Sequence, residues 1–233
     1  MKYMGSKARH AKEILPFLME GHSPDMLYIE PFVGGANMLD KIPADKAPLR
    51  FGCDVHHYLI EMWKAVSDGW MPPKEFTEEQ YRDIRENKES YPPEIVGYVG
   101  FALSYGGKWF GGWRRDRVGK RDYVAEAYRN AEKQFPLLRG IKFEERSVFD
   151  IYPEKKSTIY CDPPYAGTTK YKDDFDHERF YDWCRTLHSQ GHRIFISEYN
   201  MPPDFSCVWE KQVNSSLTQN TGAKRNTERL FTL

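Results

Sequence analysis

Short apolar runs alternate with amphipathic stretches along this chain, the pattern of a sheet whose strands are joined by helices. Met26-Leu27-Tyr28-Ile29-Glu30 predicts a first strand, ended by Pro31-Phe32-Val33-Gly34-Gly35. Leu49-Arg50-Phe51-Gly52-Cys53 predicts a second, followed by a helix over about 57–67. Further strands are predicted at 142–146, 158–161 and 193–197, with a helix near 177–190 leading into the last of these. Residues 207–209 and 229–232 predict a terminal antiparallel pair. Between about 70 and 140 strand-like runs are missing, and charged helical stretches at 77–90 and 122–138 flank an aromatic, glycine-rich and basic segment at 104–121. The pattern predicts an α/β domain formed by 1–69 and 141–233, interrupted by a mostly helical subdomain at 70–140.

Composition adds bounds. A chain of 233 residues buries a sizeable core and suits one α/β domain with a small insertion. Hydrophobic residues make up 40% and the mean hydropathy is -0.73. The longest apolar runs are strand length, far short of the roughly 20 residues a membrane helix needs, so no membrane association is expected. The opening Met1-Lys2-Tyr3-Met4-Gly5-Ser6-Lys7 leads into no apolar signal region, which makes the cytoplasm the expected location. The four cysteines (Cys53, Cys161, Cys184, Cys207) form no CxxC pair and are expected as free thiols. The seven histidines show no HExxH spacing, and His188 and His192 are separated by Gly191 at a predicted helix end, so no metal site is expected. Net charge is zero, so any nucleic-acid site has to come from local clustering of charge.

The strongest chemical signal is Asp162-Pro163-Pro164-Tyr165, directly after the apolar run Ile159-Tyr160-Cys161. A given four-residue string turns up in a chain of this length on the order of once in a thousand times. Two prolines also simply stop a strand, and an aspartate before them caps a turn. Position argues for more, because open parallel sheets bind ligands beyond the carboxyl ends of their strands. The residue types suit methyl transfer to an amine conjugated with an aromatic ring. Its lone pair is delocalised, and acceptors on its two hydrogens favour the pyramidal nitrogen that attacks. The Asp162 carboxylate and the Pro163 carbonyl offer those acceptors on a loop stiffened by Pro164, and Tyr165 offers a ring to stack on a flipped base.

A second signal is Glu30-Pro31-Phe32-Val33-Gly34-Gly35-Ala36 after the first strand. Glycines there let the backbone approach a ligand, but the loop is not the GxGxxG of pyrophosphate-binding folds. Asp54 ends the next strand 19 residues after Gly35, the spacing of an acid that binds ribose hydroxyls. The plainer role is a cap on the following helix. A third signal is the segment 108–121, with six basic residues (Lys108, Arg114, Arg115, Arg117, Lys120, Arg121) against one acid, and Trp109, Phe110 and Trp113 interleaved. Such residues neutralise phosphates and wedge or stack where a base has left the helix. Without context, a solvated loop over a small aromatic cluster explains them equally well.

The order of these elements resembles the Dam-type family of DNA adenine-N6 methyltransferases. The resemblance is carried by Tyr3-Met4-Gly5-Ser6-Lys7, the Glu30-Pro31-Phe32 loop with Gly34 and Gly35, Asp54, Asp162-Pro163-Pro164-Tyr165, and a tail in which Asn214-Ser215-Ser216-Leu217 precedes Arg225-Asn226-Thr227-Glu228-Arg229-Leu230. It implies a Rossmann-like class I methyltransferase fold, with a seven-stranded, mainly parallel sheet and a helical target-recognition insertion. It also implies S-adenosyl-L-methionine as cofactor. Tyr3, Lys7, Glu30, Pro31, Phe32, Gly34, Gly35, Asp54, Ser147 and Asp162 would line its pocket, with Lys7 pairing the cofactor carboxylate and Ser147 near its adenine. Asp162, Pro163, Pro164 and Tyr165 would be catalytic. The recognition region of the family falls in the insertion, which favours duplex DNA contact by Lys108, Trp109, Trp113, Arg114, Arg115, Arg117, Lys120 and Arg121, with Lys224 and Arg225 as added phosphate contacts. The expected enzyme acts as a monomer or weak dimer, and a partner restriction endonuclease is compatible with this reading.

Three alternatives stand beside it. The same loop geometry serves N4 of cytosine; structured RNA is a second substrate; a non-catalytic DNA-binding module is a third reading. The chain has no Pro-Cys dipeptide, which speaks against a cysteine nucleophile acting on cytosine C5.

Overall fold

A computed structural model describes residues 1–116, 118–165, 175–214 and 225–233, the side chains of Asn214, Arg225 and Asn226 aside. In chain order the elements are α1 (Ala11–Met19), β1 (Leu27–Glu30), β2 (Arg50–Asp54), α2 (His57–Ser67), α3 (Glu78–Glu86), α4 (Pro93–Ala102), α5 (Tyr123–Gln134), β3 (Lys142–Glu145), β4 (Ser157–Cys161), α6 (His177–Ser189), β5 (Arg193–Glu198), β6 (Ser206–Asn214) and β7 (Arg225–Thr232). The strands form a seven-stranded sheet in the order β3-β2-β1-β4-β5-β7-β6. The β1–β4, β2–β3 and β4–β5 pairs are parallel, whereas β7 runs antiparallel to both β5 and β6.

Every strand read from the sequence is present, and the terminal pair is longer than the cores that predicted it. Parallel strands covered on both faces read as continuous apolar runs, which makes them easy to find; β4 is buried along its whole length. Two helices did not stand out. In α1 the internal Pro16 breaks the usual helix signal, although the turn continues through a bond from Glu20 N–H to Pro16 O. In α4, seven of ten residues are buried, so there is no polar face to mark a period.

Two compact units make up the chain. The first comprises residues 1–11, 33–42 and 50–147; the second comprises 12–32, 43–49 and 148–233. These borders differ from a division at 70 and 140, because α3, α4 and α5 share the first unit with β2, α2 and β3. Its core is aromatic. Trp63 of α2 is fully buried, edge-on to Phe135 at 5.6 Å and stacked on Phe143 at 6.0 Å, and Tyr98 of α4 meets the same Phe135 at 6.4 Å. The capping box of Thr77 and Gln80 starts α3.

The second unit is organised by its own strands and α6. Trp183 donates to Ile151 O at 3.0 Å, and Phe180 is stacked on Trp183 at 5.9 Å. The Arg193 guanidinium ends α1 by donating to Phe17 O and Leu18 O, at 3.1 and 3.0 Å. Cys53, Cys161 and Cys184 are buried free thiols and Cys207 an exposed one. Among the described residues no cluster of His, Cys, Asp or Glu suits a metal, and no helix is long and apolar enough to cross a membrane.

Candidate active site

In the first unit the loop after β1 is the centre of a network. Gly34 has φ +46°, and Ala36 takes the left-handed φ of +51° that an alanine resists. A Cβ at Gly35 would lie 2.6 Å from Tyr3 Cβ, and one at Gly34 would lie 2.7 Å from the Tyr3 ring. Both glycines are thus needed to seat Tyr3, whose ring also packs on Phe101 at 5.2 Å. Lys7 is buried and donates to Gly5 O at 3.1 Å.

Asp54, at the end of β2, is half-buried. One carboxylate oxygen accepts Gly34 N–H and the other His56 N–H, both at 3.1 Å. Burial raises its pKa above the ordinary carboxylate value, and those backbone donors oppose the rise. The N-cap of α2 is His56 rather than Asp54: its Nδ1 accepts Leu59 N–H. Each carboxylate offers about four lone-pair sites, so Asp54 keeps capacity for hydroxyl donors. Ser147 lies just beyond β3 and is half-buried.

The His56 cap has a pH signature. Burial pushes the imidazole below its usual pKa, so it accepts at neutral pH. The unfolded chain then binds more protons than the native one across this window, and stability falls as pH drops below about 6.5. Melting curves of wild type and His56→Asn between pH 7 and 5 are expected to diverge. The wild type should lose more stability than the variant, whose amide caps without titrating. Parallel profiles would remove this role.

In the second unit, Asp162-Pro163-Pro164-Tyr165 extends from the carboxyl end of β4, with Pro163 buried and Asp162, Pro164 and Tyr165 half-buried. The Tyr165 hydroxyl donates to Glu228 Oε2 at 2.9 Å, and its ring meets Tyr199 edge-on at 4.5 Å. Burial, then the Asp162 and Glu228 carboxylates, hold this phenol protonated. Tyr160, buried beneath, is raised by the same two influences, burial first and Asp162 second, and bonds Ser197 at 2.8 Å. Glu30 is buried and accepts from the Tyr28 hydroxyl at 2.9 Å. Pro31 is buried after it, and Phe32 packs edge-on against Phe175 and Phe180 at 5.6 and 5.8 Å.

The basic segment is less uniform than its sequence. Arg114 is a correction: it is 6% exposed, pairs with Glu126 at 2.8 Å and lies over the Tyr123 ring at 4.3 Å. Its guanidinium serves the interior because a buried cation needs a fixed counter-charge, which removes it from the phosphate contacts expected above. Trp109 packs among His56, Tyr58, Phe101 and Phe110, and Trp113 against Tyr81. Arg115 is exposed and held by Glu78. Lys108 is half-buried, while Lys120 and Arg121 are exposed, their backbone N–H groups bonded to Asp116 at 2.7 and 2.8 Å. Arg117 and Lys224 lie outside the described residues, as does the side chain of Arg225, whose backbone opens β7.

Sequence reasoning missed the residues that hold these loops. Trp63, Gln134 and Tyr199 carry no motif. Glu228 lies inside the closing segment that supported the family resemblance, which was the one available signal.

Strand order 3-2-1-4-5-7-6 with a single reversed strand is the Rossmann-like class I methyltransferase fold. Residues 3–102 match the model of the D12 class N6 adenine-specific DNA methyltransferase family. The match covers 100 of the 233 residues. The matched stretch holds Tyr3, Lys7, the glycine loop and Asp54, and ends before the loop at 162–165. No curated protein sequence matches the chain. Solved structures to which it is similar include TrmN from Thermus thermophilus, at 12% identity and TM-score 0.43 over 98% of this chain and 48% of that one. Another is an rRNA methylase from Streptococcus thermophilus, at 8% identity and TM-score 0.39 over 97% and 96%. A third is SMU.472, complexed with SAH, at 14% identity and TM-score 0.46 over 100% and 54%. The chain spans about half the length of TrmN.

Proposed function

We propose that the protein transfers a methyl group from S-adenosylmethionine to N6 of an adenine flipped out of duplex DNA. The observation that carries this reading is the Asp162-Pro163-Pro164-Tyr165 loop at the end of β4, with Tyr165 tied to Glu228 and Tyr199. The family match over residues 3–102 supports the choice of adenine in DNA.

The residues present fit such a cofactor. Asp54 is a half-buried acid with lone pairs to spare for ribose hydroxyls, and Gly34 and Gly35 seat the Tyr3 side chain against the same loop. Lys7 would face the carboxylate, and Ser147 the adenine. When bound, S-adenosylmethionine supplies an electrophilic methyl on a sulfonium. The Asp162 carboxylate and Pro163 carbonyl accept the two amine hydrogens and draw the nitrogen lone pair out of conjugation. Tyr165 offers a ring to the base. Exposed Lys120 and Arg121, with Lys108 and Arg115, meet phosphates, so binding should weaken steeply with salt.

The test is analysis of modified bases in duplex DNA treated with the protein and labelled cofactor. N6-methyladenine is the expected product. N4-methylcytosine as the product, or activity on structured RNA but not on duplex DNA, would overturn the assignment.

A further inference from the structure

The glycine loop is fastened by buried side chains that the proposed chemistry leaves unused. Trp63 Nε1 donates to Gly34 O at 2.8 Å. Gln134, the last residue of α5, is 4% exposed, and its amide nitrogen lies 2.9 Å from Gly35 O, 3.2 Å from Ala36 O and 3.4 Å from Asn37 Oδ1. Its amide oxygen accepts from the backbone nitrogen of Met1. That contact fixes which way the amide faces, with the nitrogen toward the carbonyls. In a trans peptide the oxygen and hydrogen point to opposite sides. Anchoring the Gly34 and Gly35 carbonyls therefore sets the direction of the N–H groups that follow them. The same loop reaches Asp54 through Gly34 N–H.

We propose that Gln134 is a positioning residue for the cofactor: its amide holds residues 35–37 in the strained conformation that orients the loop backbone and, through Gly34, the Asp54 carboxylate. This rests on reading the loop and Asp54 as cofactor elements. A left-handed Ala36 persists only where its surroundings over-determine it, and the Gln134 amide nitrogen contributes by donating to the Gly35 and Ala36 carbonyls.

The experiment uses the whole chain and S-adenosylhomocysteine as an unreactive probe. Gln134→Met keeps the bulk and removes both polar ends. Its affinity for the probe is expected to fall about tenfold, and amide hydrogen exchange at residues 35–37 to quicken by a similar factor, with DNA KM and kcat at saturating cofactor within about twofold of wild type. Ala127→Gly, buried in the same helix, controls for lost stability. It should lower the melting temperature without changing probe affinity. Unchanged affinity in a folded Gln134→Met, or an equal loss in Ala127→Gly, overturns the proposal. If Gln134→Met does not fold, Gln134→Asn is measured instead; its amide is one methylene short, and the same pair of losses is expected. A wild type that binds no probe overturns both this inference and the methyltransfer reading, whereas equal binding by wild type and variant overturns this inference alone.

Discussion

Asp162→Ala is expected to slow single-turnover methyl transfer by about 10²–10³-fold, the usual cost of removing one preorganised polar group that meets developing charge. The carboxylate stands at the end of a strand buried along its whole length. It is also the second influence, after burial, on the pKa of both Tyr160 and Tyr165. A group so placed acts where water is scarce, and there an acceptor is worth more than at the surface. A melting curve of the variant recorded alongside separates slowed transfer from lost folding. Asp162→Asn keeps one acceptor and should fall between wild type and alanine. Transfer by Asp162→Ala within about threefold of wild type would end the proposed role.

The largest effect on stability is expected from Trp63→Ala, at about 3–5 kcal/mol by urea denaturation. The side chain is fully buried against Phe135 and Phe143, and its deletion opens a cavity between rings that cannot close it. It also strands the Gly34 carbonyl, since Trp63 Nε1 is its donor. Trp63→Phe separates the two contributions: it refills most of the space but leaves the carbonyl unpaired, for about 1–3 kcal/mol. Equal losses in the two variants would show that the hydrogen bond, not the packing, dominates.

The sheet was legible because its strands are apolar runs, and the loops at 30–36 and 162–165 were legible because rare strings follow those runs. What holds the loops was not. Tyr165 and Glu228 are 63 residues apart, and Gly35 and Gln134 are 99 apart. No local period encodes such a pair. Arg114 illustrates the reverse error. In a row of six cations it reads as one more phosphate contact, yet Glu126 and Tyr123 on the next helix draw it inward. Only the third dimension separates it from exposed Arg121. In α4 an apolar surface on all sides hid the helix, because its neighbours bury it from every direction.

On the proposed reading, the sharing of one core by α2, α4 and α5 bears on how a new target preference would be engineered. Residues 70–140 are not a cassette. A graft cut at those borders would bring a foreign α4 against α2 and a foreign residue in place of Gln134 against the glycine loop. On the proposed reading the positions to vary are fewer: the exposed ones between Lys108 and Arg121, a stretch followed by Asp122, whose carboxylate caps α5. Arg114 in that stretch pairs with Glu126 of α5, so a library for altered recognition keeps both fixed and varies the exposed positions around them.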